Sequence, residues 1–151
     1  MIDGVLTKKL KVVADERGRL MEVLRSDDQF FEKFGQAYIT SAYSGVVKAW
    51  HKHQLQTDHF SCLKGMAKLV LYDDRDKSKT RGEVNEFVIG EHNPLLVRIP
   101  PGVWHGFKCV SESECICLNL PTEIYKYDRP DEERIDAHKS PIPYDWARKD
   151  R

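Results

Sequence analysis

No excess of charge of either sign marks the sequence, because lysine plus arginine and aspartate plus glutamate each number 24. A binder of nucleic acid or of an anionic membrane normally carries a basic field, so neither partner is expected. A local basic patch for a small anionic ligand stays open. Long hydrophobic runs are also missing. No stretch approaches the roughly 20 apolar residues that span a bilayer, and Met1 to Lys11 has no signal-peptide apolar core, so a cytoplasmic location is expected. The four cysteines, Cys62, Cys109, Cys115 and Cys117, lack C-x-x-C spacing, and three lie in apolar runs. They are expected as free thiols packed like small hydrophobes, not as disulfides or zinc ligands. Internal repeats and low-complexity tracts are absent, and 151 residues suffice for one core, so residues 1–151 are expected to form a single domain.

Sustained helical periodicity is the last absence. Between frequent glycines lie short segments rich in Val, Ile, Leu, Phe and Tyr, the texture of an all-β sandwich or barrel. Strands are expected at Leu10 to Val13, Arg19 to Leu24, Gln36 to Ala42, Gly45 to Trp50, His59 to Lys64, Met66 to Tyr72, Asn85 to Ile89, Leu95 to Ile99, Gly106 to Cys109 and Cys115 to Leu120. Asp15-Glu16-Arg17-Gly18 reads as a turn, and Gly65 as the turn of a hairpin joining the two apolar runs around it. Asp73 to Lys79 reads as a charged loop, and Ser26 to Phe34 as the one early helix, capped by Ser26 or Asp27. From Pro121 onward, prolines and mixed charges replace apolar periodicity, so residues 121–151 are expected as a tail packed on the barrel.

Two motifs carry chemistry. From Gly45, five residues lead to His51, one more to His53, four more to Asp58 and six more to Gly65. Residues at i and i+2 on a strand share a face, so His51 and His53 can converge on one site. Ile99-Pro100-Pro101-Gly102-Val103-Trp104-His105-Gly106 is a tight turn followed by a third histidine that can reach the same place. This spacing resembles that of cupins, which implies a double-stranded β-helix, or jelly-roll barrel. As a metal site, His51, His53, Asp58 and His105 would offer three nitrogens and one oxygen to iron, manganese, nickel or zinc.

A wider set of segments resembles another branch of the fold. Asp15-Glu16-Arg17-Gly18, Gln36 with Thr40, Gly45 to His51, Asp73-Asp74-Arg75, Ile99 to Phe107 and Ile142-Pro143-Tyr144-Asp145-Trp146 occur in an order similar to that of dTDP-4-dehydrorhamnose 3,5-epimerases. The resemblance implies a homodimer without cofactor or metal, acting on a nucleoside-diphosphate 4-keto-6-deoxy sugar in surface-polysaccharide synthesis. Carried onto matching positions, it makes His51 the general base. A C4 carbonyl acidifies the neighbouring C–H bonds, and an imidazole with pKa near ~6.5 can take such a proton at neutral pH when a carboxylate supports it.

The match departs from the family pattern at two positions. Asp58 or His59 stands where the epimerases have a lysine, and Asn119 where they have the tyrosine acid. Asparagine cannot donate a proton to carbon as tyrosine can, so one-carbon epimerisation or ketoisomerisation fits better than the double reaction. Asp73 is the expected carboxylate partner of His51, with Asp136 as its rival. Arg17, Lys48 and Arg75 are the cations expected at the diphosphate, and Gln36, His53, Asp58 and His105 complete the expected substrate contacts. Trp50, Trp104, Tyr38 and Tyr72 serve either as pocket wall or as barrel core. A sugar-nucleotide-binding cupin without catalysis is the remaining alternative.

Overall fold

A computed structural model describes residues 1–150. Twelve strands form: β1 (Leu6–Lys9), β2 (Val12–Asp15), β3 (Gly18–Met21), β4 (Tyr38–Ala42), β5 (Val47–Lys52), β6 (Asp58–Lys64), β7 (Met66–Asp73), β8 (Val84–Gly90), β9 (Leu95–Ile99), β10 (Val103–Cys109), β11 (Cys115–Asn119) and β12 (Glu133–Arg134). One five-stranded sheet runs β1-β9-β6-β11-β4, a second runs β12-β5-β10-β7-β8, and β2 and β3 make a separate hairpin. Every pairing is antiparallel. The all-β jelly roll of the cupin type is therefore observed.

Strand alternation explains the layers. Inward residues of the two sheets, among them Phe60, Leu69, Leu71, Val97, Ile99 and Phe107, pack into one core. The four cysteines are free and buried there. Val70 and Trp104 point the other way, and the tail covers them: Ile142 and Trp146 join Trp50, Val70 and Trp104 in a second buried cluster. The tail is held by more than packing, since Ile135 and Trp50 exchange backbone hydrogen bonds of 3.1 and 3.0 Å beside β12.

Two expectations fail. Among the described residues there is no helix; Ser26 to Phe30 folds as turns, and residues 31–34 have no regular structure. Nine residues are too few for a self-supporting helix, and tertiary partners claim its polar groups. The Phe30 carbonyl accepts a bond from His59 Nε2 (2.9 Å), Asp28 pairs with Lys8, and Glu32 pairs with Arg98. The runs flanking Gly65 do not form a hairpin either. β6 lies between β9 and β11 in the first sheet, whereas β7 lies between β8 and β10 in the second. Both strands are buried and central, so Gly65, at φ +70°, carries the chain from one sheet to the other.

A register shift sets up the site. On β10 and β5, Phe107 faces Lys48 and His105 faces His51, so a step of two positions along β10 matches a step of three along β5. This bulge changes the parity of β5 and brings both Lys48 and His51 to the inward face. Gly106 makes the close approach possible, because a β-carbon there would stand 2.2 Å from that of Ala49.

Candidate active site

The barrel mouth opens into a cavity of about 550 Å³ lined by Tyr38, Thr40, Lys48, His51, Asn119 and Arg134, with Phe60 and Phe107 as its apolar floor. The volume falls within the usual range of small-molecule sites. A neighbouring cavity of about 320 Å³ shares Tyr38, Glu132 and Arg134 with the first and adds Gln36, His53, Gln56, Tyr125 and Tyr127. Lys48 and Arg134 supply positive charge to this region. Lys48 Nζ donates to Thr40 Oγ1 at 3.1 Å, and the Arg134 side chain pairs with Glu132 at 2.7 Å while remaining largely exposed.

Three histidines meet at the mouth. The ring centroids of His51 and His105 are 4.1 Å apart, and His53 lies 5.8 Å from each. Two of the rings are oriented by the backbone. His105 Nδ1 is 3.0 Å from the Val103 carbonyl, and His53 Nδ1 contacts the Asp131 carbonyl. A carbonyl oxygen can only accept, so both Nδ1 atoms carry hydrogen and both Nε2 atoms face the cluster.

Asp58 stands behind them at 1% exposure. Its Oδ1 accepts hydrogen bonds from Gln56 Nε2 (2.7 Å) and Asn119 Nδ2 (2.6 Å). Its Oδ2 lies 3.3 Å from His105 Nε2 and 3.7 Å from His53 Nε2, yet is buried without an aligned hydrogen-bond partner. Burial pushes the Asp58 carboxyl up, but the contact and charge of His105, with help from His53 and Asn119, outweigh it and hold the group well below the usual carboxylate range. His51 behaves oppositely. Burial, followed by the neighbouring His105, pushes its pKa well below the ordinary imidazole value, and the Asp58 charge only partly counters this.

The carboxylate expectation on Asp73 is not met by the geometry. Asp73 is fully buried within its own loop, where it holds Arg75 (2.8 Å), Ser78 (2.5 Å) and Thr80 (2.7 Å). It lines neither cavity, and Arg75 is consumed by the same loop and by the Asp3 carbonyl. Asp136 caps an exposed turn through the amides of His138 and Lys139. Arg17 sits on the β2–β3 hairpin, exposed and paired with Asp15, away from the cavity walls.

Lys48, His51, His53, Asp58, His105 and Asn119 are brought together, and Gln36 borders the second cavity. His59 points away from Asp58, as strand alternation requires, and ties Phe30 to Leu120 through their carbonyls. Of the aromatics, Tyr38 lines both cavities, whereas Trp104 and Tyr72 belong to the cluster under the tail. Tyr38 faces Asn119 across the β4–β11 register, and its hydroxyl accepts a 2.8 Å bond from Asn119 Nδ2. Burial, then the Asp58 charge, pushes its pKa up to about 12. Asp131, Glu132 and Arg134 were not anticipated, because the irregular tail gives no period from which to infer inward orientation.

A jelly roll whose mouth combines a desolvated imidazole, a buried carboxylate, a phenol and two cations defines the class: a cupin equipped for proton transfer on an anionic ligand. Comparison with known proteins gives the family. The family model for dTDP-4-dehydrorhamnose 3,5-epimerase matches residues 1–151, and the chain belongs to that family. It is 48% identical over 147 residues to the probable low-salt glycan biosynthesis epimerase Agl13 of Haloferax volcanii, covering 96% of this chain and 94% of the relative. It is 42% identical over 146 residues to the spore coat polysaccharide biosynthesis protein SpsL of Bacillus subtilis, covering 97% of each. Among solved structures, a dTDP sugar isomerase from Desulfovibrio desulfuricans G20 superposes with a TM-score of 0.92 at 32% identity, covering 99% of this chain and 94% of that one.

Proposed function

We propose that this protein is an epimerase or isomerase of a nucleoside-diphosphate 4-keto-6-deoxy sugar, working in polysaccharide or glycan synthesis. The observation that carries the reading is the pairing of His51 with Tyr38 around one cavity. His51 is the base. Its lowered pKa leaves the lone pair free at neutral pH, and a C–H next to the C4 carbonyl is the acid it meets. As the proton arrives, the nearby Asp58 charge favours the imidazolium, and Lys48 and Arg134 are the cations available to the enolate oxygen and the diphosphate.

Tyr38 is the returning acid. The family tyrosine position is Asn119 in this chain, but Asn119 donates to the Tyr38 oxygen and leaves the phenolic hydrogen free for the cavity. The acid has thus moved one strand sideways, from β11 to its partner β4. The nucleotide fits the adjoining cavity, where Tyr125 and Tyr127 lie 5.1 Å apart and offer ring faces to a base. A homodimer is expected through the open edge of β4, where Ile39 is 67% exposed.

Incubation with dTDP-4-keto-6-deoxyglucose, followed by NMR of the recovered sugar, is the test. Inversion at C3 or C5, or migration of the keto group, is expected. Recovery of unaltered sugar from every 4-keto nucleotide sugar offered would remove the reading.

A further inference from the structure

Away from the barrel mouth, a cavity of about 470 Å³ opens on the outer face of the second sheet, between β7, β8, β10 and the end of the tail. Phe107 floors the catalytic cavity, so its neighbour Lys108 points to the opposite face. There Lys108 stands directly opposite Lys68 in the β10–β7 register. Two like charges so placed repel each other. Both are drawn under the tail: Lys68 is only 8% exposed, Lys108 Nζ donates to the Trp146 carbonyl at 2.8 Å, and Lys68 Nζ reaches the Ala147 carbonyl at 3.5 Å. A carbonyl is neutral and an ammonium has three donors, so these contacts neither balance the charge nor use up the hydrogens.

The tail adds more charge of the same sign. Lys68 Nζ lies 5.5 Å and Lys149 Nζ 5.7 Å from the Tyr144 ring, which thus gathers one ammonium from the sheet and one from the tail. Arg148 lines the same cavity, and its pair with Asp150 is exposed on both sides and readily exchanged. The carboxylate in the wall, Glu86, already accepts a bond from the Tyr144 hydroxyl.

We propose that this cavity binds the phosphate or diphosphate group of a small metabolite, and that the bound anion fastens the tail to the sheet. A paired, largely buried set of lysines beside a guanidinium selects a compact anion with several charged oxygens, which the ammonium groups and the forked guanidinium can share. The exposed side chains of Val88 and Val110 give the cavity an apolar side for the organic part of an ester. Lys68 and Lys108 belong to the sheet, Arg148 and Lys149 to the tail, so the anion bridges the two. None of the four lines the catalytic cavities, and the site stands whether or not the epimerase reading holds.

Calorimetric titration of the full-length protein with inorganic phosphate, inorganic diphosphate and dTDP tests the site. A Lys48→Gln background weakens the catalytic cavity as a competing anion site. At least one of the three should bind saturably at one equivalent and raise Tm with its concentration. Binding of an inorganic anion identifies the free ion as sufficient, whereas binding of dTDP alone identifies the esterified group. Lys68→Gln and Lys108→Gln should each weaken binding about tenfold or more, the weight of one charge-assisted hydrogen bond. Should either fail to fold, the double variant Arg148→Gln, Lys149→Gln carries the same expectation, since both side chains are exposed on the tail. Absence of saturable binding, or undiminished binding in the folded variants, overturns the site. Trypsin cleavage after Arg148 or Lys149 then reads the bridge: it should slow as the anion saturates, and an unchanged rate contradicts the fastening of the tail.

Discussion

His51 on β5 stands directly opposite His105 on β10, and their ring centroids are 4.1 Å apart. The pairing depends on the bulge beside Gly106, without which the chain parity would turn His51 to the outer face. His105 in turn approaches Asp58, so a carboxylate that does not face the cavity still acts on the imidazole that does.

Gly106→Ala tests the bulge. Its new β-carbon would overlap Ala49 of the adjacent β5, at 2.2 Å, from the buried strand β10. Overpacking of this kind costs about 1–3 kcal/mol, and for a chain of this size each kcal/mol lowers Tm by roughly 2–4 °C. Thermal unfolding should show the loss, and turnover should fall further than stability accounts for, because His51 moves with the strand. An unchanged Tm would mean that the close approach is not required.

The pH dependence separates the roles of His51 and Asp58. Since burial lowers the pKa of His51, the acid limb of kcat/KM should fall below the ordinary imidazole value of about 6.5. Asp58→Asn removes a charge that raises the His51 pKa, so the limb should move to still lower pH. A shift toward higher pH, or no shift, would show that Asp58 does not act on this base.

Stability should follow the same groups. Below about pH 6.5 the unfolded chain protonates His51 while the folded chain resists, so stability falls as pH drops through that value. Asp58, whose pKa is depressed in the folded state, contributes stability above about pH 3.9, and that contribution is lost as pH falls further. Tm measured from about pH 8 to pH 5 should decline, and His51→Gln should flatten the decline because it leaves only the other titrating groups.

Much of this arrangement was legible in the sequence because it depends on local spacing. His51 and His53 share a strand face by simple alternation, and the Ile99 to Gly106 turn announced His105. Ranges such as Leu95 to Ile99 emerged with their observed boundaries. What escaped depends on partners distant in sequence. The Gly65 junction reads as a hairpin from its two flanking runs, and only the sheet partners of β6 and β7 show that it is a crossing. Ser26 to Phe34 has helix-capping residues, but Lys8, His59 and Arg98 claim its polar groups from elsewhere. Asp73 carried the motif, yet its carboxylate is spent on Arg75, Ser78 and Thr80, and the carboxylate near the histidines is Asp58.

Tyr38→Phe tests the relocated acid. Loss of the hydroxyl should slow formation of inverted product by about 10²- to 10⁴-fold, the span of one general acid, while exchange driven by His51 persists. Equal loss of both would mean that Tyr38 holds the substrate or the fold instead of delivering a proton.

Ile39→Asp addresses assembly. Ile39 is 67% exposed on the edge strand β4, where a charge should block strand-to-strand association. Light scattering should report a dimer for the wild type and a monomer for the variant. A wild-type monomer would contradict the expected assembly.

Solvent exchange reports directly on the base. In deuterated water, the protein should carry deuterium into C3 or C5 of dTDP-4-keto-6-deoxyglucose, and His51→Gln should reduce the rate by about 10²-fold or more. Exchange that continues undiminished in a folded His51→Gln protein would contradict the account, because the proton would then be leaving by another group.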